Sequence, residues 1–214
     1  MTEHYYSAHP ESKPNRGLIK TVFFGRQFEF LTASSVFSKK HVDLGTRLLV
    51  ESMILPDHGV VLDLGCGYGA VGIAAAALNP AIKVIMTDVN MRAVRLAREN
   101  VERNGIVNAE VKCGFLYEPV EELTFEVVLS NPPVSAGMDI VKSIITQAPR
   151  IMMTGAMLQM VIRSKIGAKT LPDVFDSAFG NCHVIAREGG YRVLLSKKTI
   201  AHSVAASGPT SHPT

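Results

Sequence analysis

From residue 60 onward, short apolar runs alternate with segments whose apolar residues recur at helical spacing. Continuous apolar runs predict buried strands, and the helical spacing predicts amphipathic helices. The resulting strands are at 60–64, 82–87, 109–113, 125–130 and 157–162, and the helices are at 70–78, 91–104, 138–148 and near 171–179. Strands that alternate with helices form a mostly parallel sheet with helices on both faces.

The last two predicted strands, 182–186 and 191–195, break this alternation. Only four residues, 187–190, separate them, and a turn this short cannot make a parallel crossover. The last strand must therefore run antiparallel. We predict an α/β fold with a seven-stranded, mostly parallel Rossmann-like sheet, an antiparallel last strand and helices on both faces.

Residues 17–200 are predicted to form a single domain. Its first part, 17–56, contains two apolar runs around Gly25 that indicate a β-hairpin, and a helix at 43–54. The polar residues 1–16 are expected to be a flexible N-terminus. Residues 201–214 are rich in Ser, Ala, Thr and Pro, which predicts a disordered tail.

The composition favours a cytoplasmic globular protein. Of 214 residues, 47% are hydrophobic and 19% charged, and no apolar run approaches the roughly 18 residues of a membrane span. We therefore expect no membrane partner. We also expect no metal, because the His and Cys residues do not have the spacing of metal ligands. Cys66, Cys113 and Cys182 are widely separated and are interpreted as small core residues in a reducing compartment. The net charge of +3 permits an anionic partner without requiring one.

A glycine-rich segment follows the first strand of the alternation. Gly65, Gly67 and Gly69 allow a tight turn and close approach of the backbone to a ligand. Asp88 ends the next strand, where a carboxylate can accept hydrogen bonds from ribose hydroxyls. The segment predicts a nucleotide-like cofactor.

Two cofactor classes fit these glycines. Gly65, Gly67 and Ala70 also satisfy the GxGxxG/A pattern of dinucleotide-binding enzymes. Asp63, directly ahead of the glycines, favours instead a cofactor that carries an ammonium group. A carboxylate there is favourable beside an ammonium group and unfavourable beside a pyrophosphate.

A second segment, Asn131, Pro132 and Pro133, follows the strand at 125–130. In open α/β sheets this edge binds ligands. The prolines hold the loop rigid and leave the Pro132 carbonyl free to accept a hydrogen bond. Taken alone, such a segment is equally typical of a rigid loop without a ligand.

Together, the two segments resemble the class I S-adenosylmethionine-dependent methyltransferases that modify an exocyclic or amide nitrogen. Further segments, in order, resemble the methyltransferase small domain family over residues 20–198, and within it the RsmC-like branch of small-subunit ribosomal RNA guanine-N2 methyltransferases. These segments are 36–38, 42–46, 131–133 with 136–137, 179–181 and 190–193.

The resemblance implies S-adenosylmethionine as cofactor and assigns the site residues. Asn131 and Pro132 are the implied catalytic residues, accepting the two N–H bonds of a planar amine. The implied cofactor-binding residues are Asp63, Gly65, Cys66, Gly67, Gly69, Asp88, Val89, Phe115 and Asn131, and the substrate-binding residues are Pro133, Val134 and Phe37.

Two positions depart from the family pattern. Phe115 stands where many relatives have Asp or Asn for the adenine amine; it could pack on the adenine or belong to the core. Val134 stands where amine methyltransferases often have an aromatic that stacks on the target base. Phe37 is our candidate for that stacking, and core packing explains it equally well.

The implied partner is RNA, most simply ribosomal RNA, bound as substrate. Six basic residues could neutralise phosphates: Lys39, Lys40, Arg47, Arg163, Lys165 and Lys169. Two alternatives stay open: a methyltransferase for a protein glutamine amide or small-molecule amine, and a non-catalytic cofactor-binding domain that serves as an RNA or assembly partner. The sequence leaves open whether the protein is a monomer or a dimer.

Overall fold

The structure, a computed structural model, describes residues 16–33, 41–132, 137–167 and 170–200. The strands are β1 Arg16–Phe23, β2 Arg26–Ala33, β3 Gly59–Leu64, β4 Ile82–Asp88, β5 Ala109–Cys113, β6 Phe125–Ser130, β7 Met152–Arg163, β8 His183–Glu188 and β9 Tyr191–Lys197. The α-helices are α1 Leu44–Ser52, α2 Ala70–Leu78, α3 Met91–Arg103, α4 Met138–Gln147, α5 Ser164–Gly167 and α6 Leu171–Phe179.

Seven strands form the central sheet in the order β5-β4-β3-β6-β7-β9-β8. The five strands from β3 to β7 are parallel, and β9 pairs antiparallel with both β7 and β8. The predicted fold class, with its antiparallel last strand, is confirmed. β9 lies between β7 and β8, a position that the short turn before it does not specify.

Alternation along β3 shows why both faces of the sheet are covered. Val61 joins the apolar cluster that contains residues of α1, α2 and α3, whereas Leu62 and Leu64 join the cluster that contains residues of α4 and α6. Successive side chains of a strand point to opposite faces. Because both faces are apolar, the strand is buried on both, and burial of each such side chain contributes about 1.5–3 kcal/mol.

The predicted hairpin is also confirmed: β1 and β2 pair antiparallel around a turn at Phe24 and Gly25. The side chain of Asn100 in α3 attaches this hairpin to the domain. It accepts a hydrogen bond from Leu31 N–H at 2.7 Å and donates to the Leu31 carbonyl at 3.0 Å and the Tyr68 carbonyl at 2.8 Å. The hairpin and the glycine turn therefore share one anchor.

Two expectations are corrected. Cys113 is exposed at the end of edge strand β5, although Cys66 is buried and Cys182 is half-buried as expected of core positions. An edge strand has only one neighbour, so its last residues are poorly covered. β7 begins at Met152, five residues before the predicted strand, because a bulge lets it pair with Phe125 before regular pairing resumes at Met157.

In the part of the chain that the structure describes, none of the helices is long and apolar enough to cross a membrane. Within the same residues, no three His, Cys, Asp or Glu side chains are grouped so that they could hold a metal ion.

Candidate active site

The glycine turn between β3 and α2 requires a left-handed backbone. Gly65, Gly67 and Gly69 have φ values of +73°, +58° and +93°. The N–H groups of Gly65 and Cys66 both donate to the Thr87 carbonyl at 2.9 Å, which holds the turn against the end of β4. A Cβ on Gly65 would have nothing within 4 Å, so that position faces open space and needs glycine for its conformation.

The Asp88 carboxylate supports this turn from β4. One oxygen accepts a hydrogen bond from Gly67 N–H at 2.9 Å, and the other accepts from Asn90 N–H at 2.8 Å. Asp88 is almost fully buried, and it lines the cleft described below. It therefore combines a structural role with the capacity to bind hydroxyl groups of a ligand.

Asp63 lies beneath the same turn. It is 1% exposed, and its Oδ2 accepts a hydrogen bond from Gly72 N–H at 2.8 Å. Burial is the main cause that raises the pKa of Asp63 to about 7; the Gly72 hydrogen bond opposes this rise and the Asp88 carboxylate adds to it. Burial also raises the pKa of the Cys66 thiol, which keeps this side chain neutral.

A cleft opens at the carboxyl ends of β3, β4 and β6. Its empty volume, counting the part open to solvent, is about 460 Å³. It is lined by Leu64, Gly65, Thr87, Asp88, Val89, Gly114, Phe115, Leu116, Pro132, Ile140 and Ile144. Among the residues that the structure describes, Thr87 Oγ1 has no hydrogen-bond partner although it is buried, which is uncommon for a hydroxyl.

These walls fit S-adenosylmethionine. Phe115, Leu116 and Ile140 provide an apolar surface for a flat base, and the Asp88 carboxylate provides polar atoms for ribose. The glycine turn leaves backbone space for the methionine portion. The buried Asp63 carboxylate is suited to a ligand with a positive charge.

Asn131 directly follows β6, whose end is fixed by a 2.9 Å hydrogen bond from Ser130 Oγ to the Leu64 carbonyl. The Asn131 Nδ2 donates to Thr46 Oγ1 at 2.8 Å and lies 3.5 Å from Asp43 Oδ1. Thr46 Oγ1 in turn donates to Asp43 Oδ2. The next residue, Pro132, lines the cleft, so this polar group lies beside the cofactor surface.

The structure brings most of the predicted site residues together around the β3–α2 turn and the cleft. Three of them, Phe37, Pro133 and Val134, lie outside the described residues, as do Lys39, Lys40 and Lys169. Arg47 is engaged within the fold, because it pairs with Glu51 and donates to Thr21. Its assignment as a phosphate contact has no support from this position.

Sequence reasoning missed Asp43 and Thr46 as site residues. Asp43 is the N-cap of α1, and it accepts a hydrogen bond from Thr46 N–H at 3.0 Å. An Asp directly ahead of a segment whose apolar residues recur at helical spacing is a recognisable helix start. The pattern explains the cap, but it carries no information that the cap contacts Asn131.

The mostly parallel sheet with antiparallel β9, together with a glycine turn and cleft that fit S-adenosylmethionine, defines a class I S-adenosylmethionine-dependent methyltransferase. The chain belongs to the methyltransferase small domain family, whose model matches residues 27–195.

Individual relatives agree with this assignment. The chain is 37% identical over 200 residues to the uncharacterised Bacillus subtilis protein YbxB, covering 92% of this chain and all of YbxB. It is 34% identical over 166 residues to the Escherichia coli ribosomal RNA small subunit methyltransferase C, covering 76% of this chain and 47% of that protein. The chain thus spans about half the length of this second relative.

Solved structures share the fold. The T. thermophilus 16S ribosomal RNA N2 methyltransferase RsmC, in complex with AdoMet and guanosine, superposes with a TM-score of 0.77 at 23% identity, over 89% of this chain and 52% of that one. A ribosomal protein L11 methylase from Lactobacillus delbrueckii gives a TM-score of 0.60 at 20% identity, over 72% of this chain and 77% of that one. The fold is therefore shared by enzymes with different acceptors.

Proposed function

We propose that the protein transfers a methyl group from S-adenosylmethionine to the exocyclic N2 amine of guanine in RNA, with ribosomal RNA as the first candidate. The proposal is supported by the sequence similarity to the E. coli ribosomal RNA methyltransferase. We propose the cytoplasm as the place of this reaction.

The observation that carries the proposal is the hydrogen bonding of Asn131. Its Nδ2 is engaged by Thr46, so its Oδ1 is left to accept a hydrogen bond from a ligand. We propose the carbonyl of Pro132 as a second acceptor on the adjoining residue, in a loop that this proline stiffens by fixing its own φ. Two neighbouring acceptors match the two N–H bonds of a planar –NH₂ group.

These acceptors would orient the amine and draw its nitrogen lone pair out of conjugation. S-adenosylmethionine would supply an activated methyl group. The amine nitrogen would form the new C–N bond while the C–S bond breaks and the electron pair of the C–S bond goes to sulfur. The methylated nitrogen would then lose a proton to water. The protein contributes positioning and electrostatic stabilisation, which are large terms in catalysis.

The cofactor residues in this proposal are the ones that surround the turn and the cleft. Asp63, Gly65, Cys66, Gly67, Gly69, Asp88 and Val89 hold the methionine and ribose portions. Phe115, which is 39% exposed and lines the cleft, packs on the adenine. Phe37, Pro133 and Val134 are proposed to contact the target base.

Two basic residues support a nucleic-acid substrate. Arg163 ends β7 at the same edge of the sheet as Asn131, and exposed Lys165 follows it. Arg163 Nε donates to the Tyr191 hydroxyl at 2.8 Å, which leaves its terminal amino groups for a phosphate. Tyr191 itself packs against Gly45 in the first turn of α1.

The test is transfer of labelled methyl from S-adenosylmethionine into total RNA and, separately, into a protein extract. We expect label in RNA, released by nuclease digestion as N2-methylguanosine. Asn131→Ala should slow transfer about a hundredfold or more while retaining S-adenosylmethionine binding, because the variant removes the acceptor oxygen and leaves the cleft intact. Exposed Thr154 in β7 provides a control: Thr154→Val should keep full activity.

Each other result rejects a defined part of the proposal. Label in protein alone would replace RNA by a protein amide as acceptor. Transfer by Asn131→Ala at the unsubstituted rate would reject the role of Asn131. Binding of S-adenosylmethionine without transfer to either extract would reject both macromolecular acceptors and favour a small-molecule amine.

A further inference from the structure

The contact between α1 and the loop after β6 joins residues that are 85 positions apart. Thr46 is 6% exposed, and its Oγ1 lies 2.8 Å from Asn131 Nδ2. An Asn side chain can present either its oxygen or its amino group to a neighbour, since the two have nearly the same shape. The partner group therefore decides which one faces the substrate.

Hydrogen-bond polarity in this cluster permits one arrangement. The Asp43 carboxylate has acceptor oxygens only, so the single Thr46 hydroxyl hydrogen is donated to it. Thr46 Oγ1 then has only lone pairs to offer Asn131, and Asn131 must donate its amino group. The Asn131 oxygen is thereby directed away from Thr46.

We propose that Asp43 and Thr46 are positioning residues, which set the amide of Asn131 so that its oxygen, and not its amino group, faces the methyl-accepting amine. This inference rests on the proposed function, because it assigns Asn131 Oδ1 as an acceptor for the amine. In the reverse orientation, the amino group of Asn131 would face the N–H bonds of the substrate and repel them.

The backbone around this pair restricts its movement. Asp43 caps α1 and is held by Thr46 N–H at 3.0 Å, so the carboxylate is fixed at the helix start. The ring of Tyr191 packs against Gly45, since a Cβ there would lie 2.9 Å from Tyr191 Cε1. The first turn of α1 is therefore held between β9 and Asn131.

Thr46→Val tests the proposal, because it keeps the shape of the side chain and removes the hydroxyl. We expect kcat to fall about tenfold, the effect of losing one buried hydrogen bond, with unchanged affinity for S-adenosylmethionine. Thr46→Ser retains the hydroxyl and should restore kcat to within twofold. The control Thr154→Val makes the same substitution at an exposed threonine, and it should change neither kcat nor the affinity for S-adenosylmethionine.

Asp43→Asn reverses the polarity of the cluster. The new amide can still cap α1 with its oxygen, while its amino group donates to Thr46, whose hydroxyl hydrogen then becomes available to Asn131. The Asn131 amide should rotate, and kcat should fall at least as far as in Thr46→Val. A double variant of Thr46→Val with Asn131→Ala should be no slower than Asn131→Ala alone, because Thr46 acts through Asn131.

A measurement without substrate separates this inference from the proposed function. In the ¹⁵N–¹H spectrum, the Asn131 side-chain protons should exchange with water slowly in the unsubstituted protein and in Thr46→Ser, and at least tenfold faster in Thr46→Val. Equal exchange in all three proteins, or kcat of Thr46→Val within twofold of the unsubstituted enzyme, would overturn the inference. If RNA is not the acceptor, the proposed function fails, while the exchange measurement still decides the role of Thr46.

Discussion

The Asp63 carboxylate accepts a hydrogen bond from Gly72 N–H at 2.8 Å, and a side chain on Gly72 would overlap Met86 and crowd this carboxylate. This contact joins the end of β3 to the first turn of α2, beneath the glycine turn that separates them. It fixes a buried acid next to the cleft that is the candidate cofactor site, and the burial of that acid makes the protein sensitive to pH.

The free energy of unfolding of the protein without ligand should fall as the pH rises toward neutrality, because Asp63 loses its proton less readily in the folded state than in the unfolded state. The pKa of Asp63 is raised from 3.8 to about 7 in the folded state. A group with a raised pKa contributes stability that is fully present below the unfolded value and is lost as pH rises through the folded value. Asp63→Asn keeps an acceptor for Gly72 and cannot ionise, so its stability should lack this loss.

Urea unfolding of both proteins between pH 4 and pH 8 measures this difference. The free energy of unfolding of Asp63→Asn minus that of the unsubstituted protein should increase over the window. Parallel curves would show that Asp63 titrates at its ordinary pKa in the folded protein.

Binding of S-adenosylmethionine near pH 7 should release a proton. The positive charge of the ligand, placed near Asp63, would favour the ionised carboxylate and lower its pKa. Titration calorimetry in two buffers with different ionisation enthalpies should therefore give different observed binding enthalpies. Asp63→Asn is the matched control, and equal enthalpies for the unsubstituted protein in both buffers would contradict the prediction.

Gly72→Ala should destabilise the protein by about 1–3 kcal/mol, the usual cost of overpacking a core. Its Cβ would overlap the thioether of buried Met86 and lie 3.0 Å from Asp63 Oδ2. The preference of helices for Ala over Gly does not compensate for this overlap. The double variant Gly72→Ala with Met86→Ala should lose less free energy of unfolding than the sum of the losses in the two single variants, as measured by chemical denaturation. Equality of the two losses would reject the overlap.

Tyr68→Phe should leave stability unchanged or raise it by about 1 kcal/mol, because the Tyr68 hydroxyl is buried without a hydrogen-bond partner among the described residues. Tyr117 provides the matched control: its hydroxyl donates to the Ile144 carbonyl at 2.7 Å, so Tyr117→Phe should cost about 1 kcal/mol. Thermal unfolding compares the two variants. Similar losses in both would indicate that Tyr68 is hydrogen-bonded in solution.

Phe115→Ala should weaken binding of S-adenosylmethionine about tenfold, within the range measured for stacking of a base on an aromatic ring. Stability should change little, because the ring is 39% exposed. Phe24→Ala removes an even more exposed ring from the hairpin turn and should leave the affinity unchanged. Equal affinity for Phe115→Ala and the unsubstituted protein would mean that the adenine lies elsewhere.

Much of the fold follows from local patterns. The two-face burial of β3 is visible as a continuous apolar run, and the four-residue connection before β9 excludes a parallel crossover. The start of β7 was predicted five residues late, since the bulge that extends it depends on pairing with Phe125 in β6. The exposure of Cys113 likewise depends on β5 being an edge strand.

The candidate site, like the fold, follows from the sequence only in part. The glycines with positive φ and the acids near the ends of β3 and β4 belong to short sequence patterns. Gly65, Asp63 and Asp88 could therefore be proposed as site residues from their spacing. The clustering of Asp43 and Thr46 with Asn131 could not be predicted, because the sequence of a helix cap is the same whether the cap faces solvent or a neighbouring loop.

The sequence by itself determined the class of fold, the glycine turn and the nature of the residues that follow β6, because turn conformation and the apolar run of a strand are set by residues adjacent along the chain. The tertiary structure alone decided the order of the last strands, the buried state of Asp63 and the orientation of the Asn131 amide. These features depend on contacts between residues distant in sequence, and in the last case on the hydrogen-bond polarity of Thr46, 85 positions away.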